Sequence, residues 1–186
     1  SAFGSNYDFG TTLSYVAPFI FTGLSVAVAF HAGLFNIGAE GQLTFASILT
    51  TYVGVKSVEL PFHLGVIVLI FCSLFFGALW GFIPGWLKAR RGSHEVIITI
   101  MLNFIAAGIA SWMALYLIPR TDSQNPESAY IKDSFSLKPF DFVAHLFPNT
   151  PANISLVFAI VACFVVWIFL WKSPWGFELR ALGLTS

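Results

Sequence analysis

The sequence is short of charge. Of its 186 residues, nine are Lys or Arg and nine are Asp or Glu, so 10% of the chain is charged. A soluble domain carries about 25%. A soluble chain of this size has more surface than so few charges can cover, and that surface must therefore face lipid. The formal net charge is zero, which leaves no electrostatic footprint for a nucleic acid or another polyanion. Cysteine is nearly missing as well. Cys72 and Cys163 both lie inside apolar runs, where packing is the expected role rather than a disulfide or a metal site.

Chemical signatures are also lacking. There is no Gly-x-x-x-x-Gly-Lys-Ser/Thr loop to cradle nucleotide phosphates, and no Gly-x-Ser-x-Gly nucleophile turn. His94-Glu95 would need a second His one turn later to hold zinc, and that position is Ile98. No pair of carboxylates and no Cys–His pair stands within the apolar runs. The expectation is a path or scaffold, with no catalytic residue, no metal and no cofactor. Any energy it uses must come from another chain.

What the sequence does have is hydrophobicity in blocks, 57% of all residues. Residues 9–39, 60–87, 96–119 and 142–171 are free of charge. A helix needs about 20 apolar residues to cross the hydrocarbon, and each block supplies them. Residues 41–55 form a shorter, more polar block. The pattern predicts an all-α, polytopic transmembrane bundle of about five segments, at about 12–33, 34–54, 62–87, 95–118 and 152–171. Residues 1–11 read as a lead-in and 173–186 as a tail. Trp80, Pro84 and Trp86 read as an interfacial belt. Residues 1–186 read as one transmembrane domain, with 119–151 as a proline-bearing external loop. No internal repeat is evident.

Orientation follows from the basic residues of short loops. Lys88, Arg90 and Arg91 place their loop in the cytoplasm of a multi-pass cell-membrane protein. The tail with Lys172 and Arg180 then falls on the same side, and 119–151 outside. Glu95, opening the fourth segment behind Ser93, suits a helix N-terminus.

Glu40 is the most informative residue. It stands between two apolar blocks, beside Asn36 and Gln42 and among Gly33, Gly38 and Gly41. An ionisable group at membrane depth is costly and is a functional candidate by default, and glycines let a helix open toward a cavity. Three readings stand open from the residues alone: a broken helix beside a translocation path, a polar cytoplasmic turn, or a buried Glu that ties helices together. Asn103, within the fourth segment, is a polar group in lipid that more often bonds another helix than a solute.

Thr22 to Phe30 (TGLSVAVAF) followed by Gly33 to Gln42 (GLFNIGAEGQ) resembles the signature of permease subunits of bacterial ABC importers, in the wording of the nucleoside and simple-sugar branch. Glu95 to Asn103 (EVIITIMLN) is similar to a later membrane segment of that family. Ser173 to Gly183 (SPWGFELRALG) resembles the cytoplasmic lead-in to its coupling helix. The resemblance implies a translocation-pathway subunit, most simply for nucleosides or simple sugars. It implies a second permease subunit, ATP-binding subunits inside and a substrate-binding protein outside. It implies a longer permease of which this chain is an inner piece, with one segment broken near Gly38–Gly41. It favours Glu40 as a path residue, with Asn36, Gln42 and Asn103 as secondary candidates and Gly33, Gly38 and Gly41 as helix-break glycines. Trp175, Gly176, Phe177 and Arg180 would approach the ATPase. The competing expectation is a stand-alone secondary transporter, which ordinarily buries acids or bases for ion coupling.

Overall fold

The computed structural model describes residues 5–58, 60–92, 94–121, 125, 127–132, 135 and 154–185. Six helices are described: α1 (Asn6–His31), α2 (Ala39–Lys56), α3 (Phe62–Arg91), α4 (Glu95–Tyr116), α5 (Ser155–Lys172) and α6 (Pro174–Thr185). Among the described residues there is no strand, only an isolated bridge between Pro119 and Ser128. Four helices, α1, α3, α4 and α5, are long and apolar enough to cross a membrane. The shorter, more polar α2 is not among them.

The helix ends follow local chemistry. α1 starts earlier than the hydrophobic block does, because Ser5 caps it by accepting the Asp8 N–H at 3.1 Å. The expected lead-in over 6–11 is therefore helix. Thr11 and Thr12 return their hydroxyls to the carbonyls of Tyr7 and Asp8, which spares them solvent. α3 continues four residues beyond its apolar block, so Lys88, Arg90 and Arg91 form its last turn, where cations favour the negative end of the helix dipole. Gly92 then stops it at φ +60°. His94 occupies the N-cap of α4 with no side-chain bond; Ser93, the expected cap, lies outside the described residues, as does most of 119–151. Glu95 in the first turn instead pairs with Lys88 across the Gly92 turn.

The tail is not a tail. Ser173 accepts the Gly176 N–H at 3.0 Å and donates to the Phe169 carbonyl at 2.6 Å. This caps α6, with Pro174 at the first position, where its missing N–H costs nothing.

The chain falls into two compact units, 1–35 with 137–186, and 36–136. In the first, α1 packs on α5, and α6 packs on both. Apart from Leu170 its buried residues are small, Gly10, Ala17, Ala159 and Gly176, as suits helices that associate in lipid by close approach. In the second, α2 packs against α3 and α4. Ile48, Met113, Ala114 and Ile118 form its core. Phe45 of α2 stacks on Trp80 of α3 with ring centroids 4.0 Å apart. Trp80 is buried by that stack, so it is no interfacial residue; Trp86, under the Arg90 guanidinium at 5.8 Å, is exposed. Large apolar side chains elsewhere point outward, as Phe19 (74% exposed), Phe71 (68%) and Phe104 (69%) do. That inside-out distribution is what a bilayer rewards.

Candidate functional site

The segment 32–42 joins α1 to α2. Its first part is a helix stop. Gly33 has φ +72°, the Leu34 N–H reaches the Ala29 carbonyl at 3.0 Å, and the Gly33 N–H reaches that of Phe30 at 3.1 Å. This is a Schellman termination, which needs a residue that tolerates the left-handed region. Gly33 is thus a terminator of α1. The interruption expected near Gly38–Gly41 lies just ahead of it, with helix ending at His31 and resuming at Ala39.

Asn36 then turns the chain. Its Oδ1 accepts the Gly38 N–H at 2.9 Å, an Asx turn that leads into α2. Gly38 and Gly41 lie on the face of α2 that meets α4. A Cβ on Gly38 would stand 3.1 Å from the Thr99 side chain, and one on Gly41 would stand 3.0 Å from Cα of Asn103. The glycines let the two backbones meet.

Asn103 closes this contact. Its Oδ1 accepts the Gly41 N–H at 2.9 Å, and its Nδ2 donates to the Ile37 carbonyl at 3.1 Å. A helix N-terminus leaves backbone groups unmatched, and one amide of the right polarity matches two of them here. Thr99, buried below it, returns its own hydroxyl to the carbonyls of Glu95 and Val96. Asn103 is an interhelical clamp.

Gln42 lies over α3, with its amide against Gly81, where a Cβ would come within 3.0 Å of Nε2. Glu40 lies on neither interface. Its side chain is exposed, on the face of α2 that also presents Leu43 and Ser47. The four path candidates therefore separate: Asn36 shapes the turn, Asn103 joins α2 to α4, Gln42 packs on α3, and Glu40 faces outward.

The candidates in α6 separate in the same way. Gly176 is buried, and a Cβ there would land on the Phe169 carbonyl of α5. Arg180 turns inward, its Nε donating to the Gly176 carbonyl at 3.3 Å and its guanidinium 4.4 Å over the Trp171 ring. Trp171 in turn meets His31 of α1 edge-on at 6.1 Å. Only Trp175 and Phe177 of the four are exposed. Sequence reasoning missed Trp171 and His31, which hold α6 in place; nothing in their spacing along the chain joins them.

Comparison with known proteins gives a consistent picture. Over 184 residues the chain is 38% identical to the guanosine ABC transporter permease protein NupP of Bacillus subtilis, covering 99% of this chain and 51% of that protein. It is 35% identical to the nucleoside ABC transporter permease protein NupB of Lactococcus lactis, with the same coverage of each. It is 32% identical to the glucose ABC transporter permease protein TsgB13 of Haloferax volcanii, over 95% of this chain and 48% of that protein. The chain spans about half the length of these relatives. No solved structure matches. Residues 9–185 match the family described as "Branched-chain amino acid transport system / permease component", and the chain belongs to that family.

Proposed function

We propose that this chain forms part of the translocation pathway of an ATP-driven importer for nucleosides or simple sugars. The observation that carries the proposal is similarity along essentially the whole chain to guanosine and nucleoside permeases. Uncharged, hydroxyl-rich solutes need hydrogen-bond partners rather than a counter-charge, and the polar groups of 36–47 are almost all neutral. ATP hydrolysis belongs to separate ATP-binding subunits, as the lack of a phosphate-cradling loop suggests. A second permease subunit completes the path, and an external substrate-binding protein delivers the solute.

The basic last turn of α3 and helix α6 lie on the cytoplasmic side. There Trp175 and Phe177 are the side chains of α6 offered to an ATPase. The 119–151 segment is external, within a single transmembrane domain. Glu40 lines the path.

Mass spectrometry of what co-purifies with the full-length permease in mild detergent tests this directly. An ATPase chain with a phosphate-binding loop is the expected partner, and guanosine is the first solute to assay. A permease that purifies without such a chain in several detergents would point instead to a stand-alone transporter. Glu40→Gln and Glu40→Ala should lower uptake in assembled complexes; normal uptake in both would remove Glu40 from the path.

A further inference from the structure

Glu40, Thr44, Ser47 and Thr51 follow one another in α2 at spacings of four, three and four residues. That spacing puts them on one face of a helix. The face is set by what it avoids. Gly38, Gly41 and Ile48 are turned to α4, and Gln42, Phe45 and Ala46 to α3. Glu40 and Ser47 remain exposed, with Leu43 at the edge of the same face, and Thr44 and Thr51 are half-buried.

The exposed positions of α3 and α4 are of the opposite kind. They include Phe71, Leu74 and Phe75, and Ile97, Met101 and Phe104, side chains suited to acyl chains. A carboxylate with three hydroxyls above it is not suited to them. A charged group in hydrocarbon is costly, so this face belongs against water.

The face also has an end. Thr51 lines an open cavity of about 500 Å³ together with Arg120, Glu127, Ser128 and Tyr130. Arg120 is held there by Glu127 at 2.8 Å and lies 4.3 Å over the Tyr130 ring. From Glu40 to Thr51 the helix rises about 16 Å, roughly half of a hydrocarbon core.

We infer that the solute path runs along this face of α2, from Glu40 through Thr44 and Ser47 to the cavity at Thr51. The inference rests on the proposed importer function and assigns it the wall along which solute moves. The ligand class is an uncharged, hydroxyl-rich solute. Hydroxyls both donate and accept, so successive rungs can exchange bonds with a ribose or hexose as it passes. Ser47 already donates to the Thr44 carbonyl at 2.9 Å, which leaves its lone pairs to accept from the solute. The α2 face carries no cation, and Arg120 at its end is already paired with Glu127, so an anion gains little along it. Several weak rungs in series suit conduction better than one tight site.

Single cysteines at Thr44, Ser47 and Thr51 test the inference in the full-length permease with its partner subunits, after removal of the native cysteines. Phe71→Cys and Phe104→Cys serve as lipid-facing controls. A charged, water-soluble methanethiosulfonate should modify the three α2 positions and not the controls, and modification at Ser47→Cys should block guanosine uptake. Thr44→Val and Ser47→Ala should each lower uptake about twofold to tenfold without loss of assembly, the effect of one hydrogen bond. Cysteines on α2 that react no faster than the controls would overturn the inference, as would modification that leaves uptake intact. If the wild type takes up no guanosine, the solute assignment is what fails, and the labelling pattern still decides whether this face meets water.

Discussion

Asn103 shows how much one side chain settles in this protein. Both ends of its amide are spent on the backbone of residues 37–41. Asn103→Leu keeps the size and strands a backbone N–H and a carbonyl, so a loss of about 1 to 2 kcal/mol is expected. Thermal unfolding of the full-length permease in detergent measures it. Gly41→Val should cost about 1 to 3 kcal/mol by overpacking. Asn103→Ala should not rescue it, because the obstructing atoms include the backbone of residue 103. Asn103 was legible as a polar group in lipid that bonds another helix. Its partners were not, because they are backbone atoms more than sixty positions away. Glu40 was legible as an unusual charge between apolar blocks. The hydroxyls that share its face stand at spacings of four and three, and sequence reasoning passed over them; only the packing of α3 and α4 on the other faces sets them apart.

At the level of elements, hydrophobic blocks located the helices and capping chemistry moved their ends. α1 gained its first turns from Ser5 and from hydroxyls bonded back along the helix. α3 absorbed the basic cluster because cations are welcome in a last turn. Helix α6 was the clear miss. Ser173-Pro174 is an N-cap followed by a first-turn proline, so the signal was present, but the mixed composition of 173–186 hid it. Ser173→Ala removes both bonds of that hydroxyl and should weaken the start of α6 by about 1 kcal/mol. Hydrogen exchange should then speed up in the first turn of α6 while α5 keeps its protection. Unchanged exchange at 176–178 would mean that packing alone holds the helix start.

For the molecule as a whole, the scarcity of charge fixed the solvent before any helix was located. The outward Phe, Leu and Ile side chains of α3, α4 and α5 answer to it. How the helices share their faces was not legible, because apolar blocks carry little directional signal when both lipid and neighbours are apolar. Orientation is a property of the whole chain. Ser93→Cys should react with an impermeant thiol reagent in inside-out vesicles and stay silent in intact cells; labelling in intact cells would invert the proposed topology. Gly183→Val should preserve the four spanning helices, as read by circular dichroism, while it displaces α6, as read by faster proteolysis beyond Lys172. Protection equal to the wild type would show that α6 seats without the close contact.

That contact has a mechanical meaning. A Cβ on Gly183 would land on the carbonyl oxygen of His31 and beside the Gly33 nitrogen. At Gly183 the nearest atoms of α1 are its backbone, so the joint there is close, backbone against backbone. A push on Trp175 or Phe177 has no soft layer to compress at that point. It either slides α6 off its seat or moves the turn at Gly33 that ends α1.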